Sequence, residues 1–123
     1  MLVDSHCHLD RLDLSNREGG LEAVIADAKQ RGISHLLTVA VDLDSSKSLT
    51  ELTAKYDHIY SSVGVHPLQD EQLPLPTVEE IVALAQQPKV IAVGETGLDN
   101  FYSAESYDWQ YESFTRHLLA SKQ

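Results

Sequence analysis

The sequence predicts an α/β chain of four βα units, a parallel sheet covered by helices that amounts to half of a (β/α)8 barrel of the TIM-barrel type. Short apolar runs alternate with amphipathic helical stretches along the whole chain, and parallel strands require the crossover connections that such helices provide. Polar residues with metal-ligating chemistry collect just after the apolar runs, at His6 and His8, at His66 and at Glu95. In a parallel barrel that rim builds the active site. A complete barrel takes ~250 residues, so four units in 123 residues make about half of one. An open flavodoxin-like sheet would show the same alternation. The Gly-rich phosphate loop that such folds often carry after the first strand is missing here.

Residues 1–4 open the chain as a short apolar strand. Leu21, Val24, Ile25 and Ala28 then fall at helical spacing, and Gly32 closes that helix. Residues 33–41 read as the second strand. Asp44 is the expected N-cap of a second helix whose Leu49, Leu52 and Tyr56 share a face, and residues 59–65 form a third strand. Thr77 and Glu80 make a capping box for a helix that buries Val78, Ile81, Val82 and Ala85 and stops at the Gln87-Pro88 step. Residues 90–93 follow as strand four. Ser103 is the expected cap of a last helix, with Tyr107, Tyr111, Phe114 and Leu118 on its apolar stripe.

A hydrophobic content of 42% supports one modest domain with a core, spanning residues 1–123. No low-complexity tract or Gly/Ser linker divides it. Asp4, His6, His8, Asp10 and Asp13 interrupt the first thirty residues, so neither a signal-peptide apolar region nor a membrane span is expected there. The single cysteine, Cys7, allows no internal disulfide and fits a reducing, cytoplasmic setting. A net charge of −10 repels polyanions. A phosphate substrate would therefore have to be held by metal ions and loop residues rather than by the overall field.

Residues two apart in an extended segment point to the same side, so the imidazoles of His6 and His8 can converge on one metal ion while Cys7 points away. The bland alternative is a pair of surface or hydrogen-bonded histidines. Asp4 shares the histidine face, either as an acceptor that fixes an imidazole tautomer or as an ordinary turn residue. Glu95 ends an apolar strand between the small residues Gly94, Thr96 and Gly97, where a carboxylate can bridge two metals or merely cap a turn. His66, in Gly64-Val65-His66-Pro67, is divided between a substrate contact and a loop hydrogen bond. His35, His58 and His117 read as surface or packing residues.

Three blocks, Val3-Asp4-Ser5-His6-Cys7-His8-Leu9-Asp10, Gly64-Val65-His66-Pro67 and Val93-Gly94-Glu95-Thr96-Gly97-Leu98-Asp99, occur in an order and spacing that resemble the N-terminal signature blocks of TatD-related deoxyribonucleases. The resemblance extends to the helix holding Gln110, Phe114 and Leu118. It implies a (β/α)8 barrel of the amidohydrolase superfamily that cleaves DNA phosphodiesters with a metal-activated water. It further implies that His6, His8 and Glu95 ligate two divalent ions, magnesium, manganese or zinc, with Glu95 shared between them, and that His66 and Asp99 sit near the substrate. The family pattern continues with two further histidines and a late aspartate. The chain is therefore expected to be truncated and incomplete as a catalyst, with open sheet edges that favour self-association. Asn100-Phe101-Tyr102 departs from a more tyrosine-rich run in many relatives and touches substrate preference. The alternatives are a related metallohydrolase of a small amide, lactone or phosphoester, and a noncatalytic binding or oligomerising module.

Overall fold

A computed structural model describes residues 1–102 and 107–123. The chain runs β1 (Leu2–Cys7), α1 (Gly20–Gln30), β2 (Ile33–Thr38), α2 (Leu43–Thr53), β3 (Ile59–Val63), α3 (Val78–Ala85), β4 (Val90–Val93) and α4 (Tyr107–Ala120). The four strands form one sheet in the order β1-β2-β3-β4, every pairing parallel, with Val3 beside His35, Leu36 beside Ile59 and Ser62 beside Ala92. All four C-terminal strand ends therefore meet at one rim. Among the described residues no helix is long and apolar enough to cross a membrane.

Two clusters build the core between sheet and helices. Leu9, Ile25, Leu36 and Ile59 pack with Leu21 and Leu52 at one end, and Val63, Ile81 and Ala120 with Val78, Val82 and Val90 at the other. The expected alternation holds, and several boundaries move. β1 continues past Asp4 to Cys7, which brings His6 into the strand. β2 and β3 stop at Thr38 and Val63, because the residues beyond them turn their hydrogen bonds to the rim. The Val39 N–H donates to the Cys7 carbonyl, and the His66 N–H to the Val41 carbonyl.

The helix ends follow local chemistry. Gly32, at φ 90°, lets the chain turn out of α1 while its N–H bonds the Lys29 carbonyl. Thr77 and Glu80 form the expected capping box. α2 corrects the expectation for Asp44. Asp42 is the cap, its Oδ1 accepting the Ser45 N–H at 2.6 Å while Ser45 Oγ accepts the Asp42 N–H at 3.0 Å. Asp44 is exposed in the first turn beside Lys47. The expected Ser103 cap lies outside the described residues.

α4 corrects the expected stripe as well. Its buried face is Gln110, Ser113, His117 and Ala120, whereas Tyr107, Tyr111 and Leu118 are exposed and Phe114 is half-buried. Small residues at 113 and 120 admit close packing, and the two larger polar side chains are buried because they are hydrogen-bonded. Gln110 Oε1 accepts the Asp99 N–H at 2.6 Å. His117 Nε2 accepts the Val65 N–H at 2.9 Å, and its Nδ1 lies 2.7 Å from the Ser113 carbonyl, which fixes the tautomer protonated on Nδ1.

Candidate metal centre

The rim of the sheet brings His6 and His8, at the end of β1, against Glu95, just beyond β4. His6 Nε2 lies 3.5 Å from Glu95 Oε1, and His8 Nε2 lies 3.6 Å from Glu95 Oε2. The imidazole rings are 5.3 Å apart and nearly perpendicular. One donor atom from each of the three residues falls within 4.8 Å of the others. These separations exceed a hydrogen bond. They suit ligands of a common ion, since two donors at ~2.0–2.1 Å from a tetrahedral zinc-class ion lie roughly 3.3 Å apart. Two imidazole nitrogens and a carboxylate are a donor set that zinc and manganese accept.

The centre is held by two consecutive residues of the segment after β2. The Val39 carbonyl lies 2.9 Å from His8 Nδ1, so His8 carries its proton there and keeps the Nε2 lone pair for the centre. The next carbonyl, of Ala40, accepts the Glu95 N–H at 2.8 Å. Residues from opposite edges of the sheet are thus referenced to one dipeptide. The Gly94–Glu95 peptide is cis. Gly64 lets this arrangement close, because a Cβ there would lie 2.5 Å from the Gly94 carbonyl carbon and 2.6 Å from the Glu95 oxygen.

His6, Glu95 and His66 line a common cavity of about 370 Å³ with Ser62 and the loop running from Gly94 to Leu98. Within it, Thr96 carries a buried hydroxyl with no hydrogen-bond partner among the described residues. His66 Nδ1 accepts the Leu68 N–H at 3.0 Å, which aligns the ring on its own turn and leaves Nε2 as the second polar atom. Asp4 accepts the backbone N–H of His6 at 3.1 Å and so shapes the end of β1. Asp99 Oδ1 accepts the N–H groups of Phe101 and Tyr102, organising the turn beyond the cavity. Cys7 is turned away toward the Leu37 carbonyl. Burial, reinforced by Asp4 and Asp10, pushes its thiol up to about 11.

The sequence reading passed over Ser62, whereas His117, read as a surface or packing residue, is buried in the packing of α4. A pair of serines inside the apolar strand Ile59–Val63 was the available signal, since a buried hydroxyl in a strand must find a partner or stay unsatisfied. The partner of His117 had no comparable signal, because it lies on another element 52 residues away.

The model of the family described as TatD related DNase matches residues 3–123. An uncharacterized metal-dependent hydrolase, YcfH of Escherichia coli (strain K12), is 38% identical over 122 residues, which are 99% of this chain and 45% of the relative. The 3'-5' ssDNA/RNA exonuclease TatD of Citrobacter rodentium is 36% identical over 98 residues, 77% of this chain and 37% of that one. In three dimensions the chain is similar to the crystal structure of YjjV, a TatD homolog from E. coli K12, with a TM-score of 0.83 at 28% identity over 98% of this chain and 46% of that structure. The four βα units match the first half of a TIM-type barrel. The chain spans less than half the length of these relatives.

Proposed function

The chain belongs to the TatD-related DNase family of metal-dependent hydrolases, and from this we propose that residues 1–123 are the N-terminal part of a barrel enzyme that hydrolyses DNA phosphodiester bonds in the cytoplasm. The observation that carries the proposal is the convergence of His6, His8 and Glu95 donor atoms within 4.8 Å at the C-terminal rim of a parallel sheet. A divalent ion there, one of a pair in the whole enzyme, would supply positive charge to the substrate phosphate and lower the pKa of water. His6 and His8 offer imidazole nitrogens, and the Val39 carbonyl fixes the proton of His8 on Nδ1. Glu95 would supply the anionic ligand and is the residue the two ions would share. His66 faces the same cavity and offers the substrate a hydrogen bond through Nε2, Asp4 supports the His6 backbone, and Asp99 positions the loop that bounds the substrate.

Metal ions resolve the charge problem. A surface with net charge −10 repels DNA, so the attraction has to be local and cationic, at the rim itself.

The edges bear on the isolated chain. β1 and β4 are the outermost strands of the sheet, and Leu2, Val3 and Ile91 on them are 62%, 60% and 61% exposed. Further βα units would pair there in a longer protein, and alone these edges promote self-association. Light scattering should find oligomers of the 123-residue chain.

Manganese- or magnesium-dependent cleavage of a single-stranded oligonucleotide tests the function, with this chain compared to one extended to full barrel length. Cleavage by the extended protein, abolished by Glu95→Ala, is expected. An extended protein that binds metal and leaves oligonucleotides intact, while hydrolysing a small amide, lactone or phosphoester, would move the substrate to that class.

A further inference from the structure

Ser62 and Ser61 are adjacent, both buried, on opposite faces of β3. Their hydroxyls have different fates. Ser61 Oγ faces the helix side and has no hydrogen-bond partner among the described residues. Ser62 Oγ lines the cavity of the candidate metal centre and uses its hydrogen-bonding capacity in two directions. It accepts the Ala40 N–H at 3.0 Å and donates to the Gly94 carbonyl at 2.6 Å.

Those two partners are the residues that hold Glu95. Gly94 precedes it directly, and the Ala40 carbonyl accepts the Glu95 N–H at 2.8 Å. The Ser62 hydroxyl therefore closes a ring: Ala40 N–H to Ser62, Ser62 to the Gly94 carbonyl, and the Glu95 N–H back to Ala40. β3 is tied to the segments after β2 and β4 within one turn of backbone, and the carboxylate projects from the tied point. Because Gly94 and Gly97 flank this stretch, the local backbone has little intrinsic stiffness. The ring supplies it.

We propose that Ser62 is the positioning residue for Glu95, setting the carboxylate between His6 and His8 through the Gly94 carbonyl and the Ala40 N–H without itself touching a metal or substrate. This rests on the metal-centre reading above. Losing such a support should weaken metal binding by ~10–100-fold, as removal of outer partners of metal ligands typically does.

Two measurements on the 123-residue chain test it separately. Amide hydrogen exchange without metal reports the ring itself. Ser62→Ala should lose protection at Ala40 and Glu95 while Ser61→Ala keeps it, and Ser62→Thr, which retains the hydroxyl, should restore it. Titration with zinc or manganese ions alone reports the consequence. Ser62→Ala should bind ~10–100-fold more weakly than wild type, with Ser61→Ala unchanged and Ser62→Thr within a few-fold of wild type. Unchanged exchange at Ala40 and Glu95 in Ser62→Ala would overturn the proposal, as would equal losses in the two alanine variants. Failure of Ser62→Thr to recover would also overturn it, since the effect would then be one of packing. A wild-type chain that binds neither ion would remove the metal-centre reading, while the exchange data would still decide whether Ser62 holds Glu95.

Discussion

Gly64→Ala is the substitution whose effect is best fixed by geometry. The new Cβ would lie 2.5 Å from the Gly94 carbonyl carbon, 2.6 Å from the Glu95 oxygen and 2.7 Å from the Gly94 oxygen. All three are main-chain atoms, so no side chain can rotate to make room. Ordinary contact between carbon atoms is ~3.5–4.0 Å, which calls for a relative shift of about 1 Å. That exceeds the ~0.5 Å tolerance of a functional site. Gly64 is outside the left-handed region, so an alanine there loses less backbone entropy on folding and recovers ~0.4–1 kcal/mol. Overpacking costs ~1–3 kcal/mol, leaving a net loss of roughly 1–2 kcal/mol, or a melting point lowered by about 4–8 °C for a domain of this size. Metal affinity should fall by more, ~10–100-fold, because the displaced atoms carry Glu95. Gly94→Ala is the comparator, since a Cβ there meets nothing within 4 Å and the melting point should hold. Circular-dichroism melts without metal, followed by calorimetric zinc titration, measure both effects. A Gly64→Ala chain that melts and binds zinc like wild type would falsify the close approach of the two rim loops.

Asp42→Ala removes the cap that accepts the Ser45 N–H and should cost ~1 kcal/mol, about 4 °C in the melting point; Asp44→Ala should leave it unmoved, and the reverse order would restore Asp44 as the cap. His117 provides an acid-sensitive contact. Burial holds its pKa below the ordinary histidine value against the opposing Ser113 carbonyl, so the unfolded chain takes up the proton first, and this stability is complete above pH 6.5 and declines as pH falls toward the depressed folded value. Melts from pH 7.5 to 5 should show a shallower slope in His117→Gln, which retains an acceptor for the Val65 N–H, and an unchanged slope would assign the acid sensitivity elsewhere. Cys7, with its thiol pushed up to about 11, should react with iodoacetamide at pH 8 ~100-fold more slowly in the folded chain than in urea; equal rates would mean that β1 does not protect it.

The alternation of strand and helix was legible because period 2 and period 3.6 are written into the apolar positions, and β4 was located to the residue. Strand ends were less legible. The apolar character of residues 39–41 and 64–65 continues past the ladder because those residues are buried, or in the case of Val41 half-buried, at the rim with their hydrogen bonds redirected. The true cap of α2 was hidden by two nearby aspartates, and only the reciprocal bond from Ser45 separates them. α4 misled because its most apolar stripe is its exposed one, the buried face being carried by small and hydrogen-bonded polar residues. In the site, the convergence of His6 with His8 followed from strand periodicity. The approach of Glu95 to both depends on the close passage of the two rim loops at Gly64, which spacing in the sequence does not encode.

Each strand of the sheet pairs with the one before it in the sequence, so a chain emerging from the ribosome can dock every new unit on an edge already made. The three donor residues follow a different timetable. His6 and His8 are in place with the first unit, and Glu95 arrives only with the fourth. In the proposed centre a chain lacking β4 would offer an ion the two imidazoles alone. The third donor arrives when the last of these strands docks, so in the proposed centre metal binding by all three residues would report completed assembly of this half.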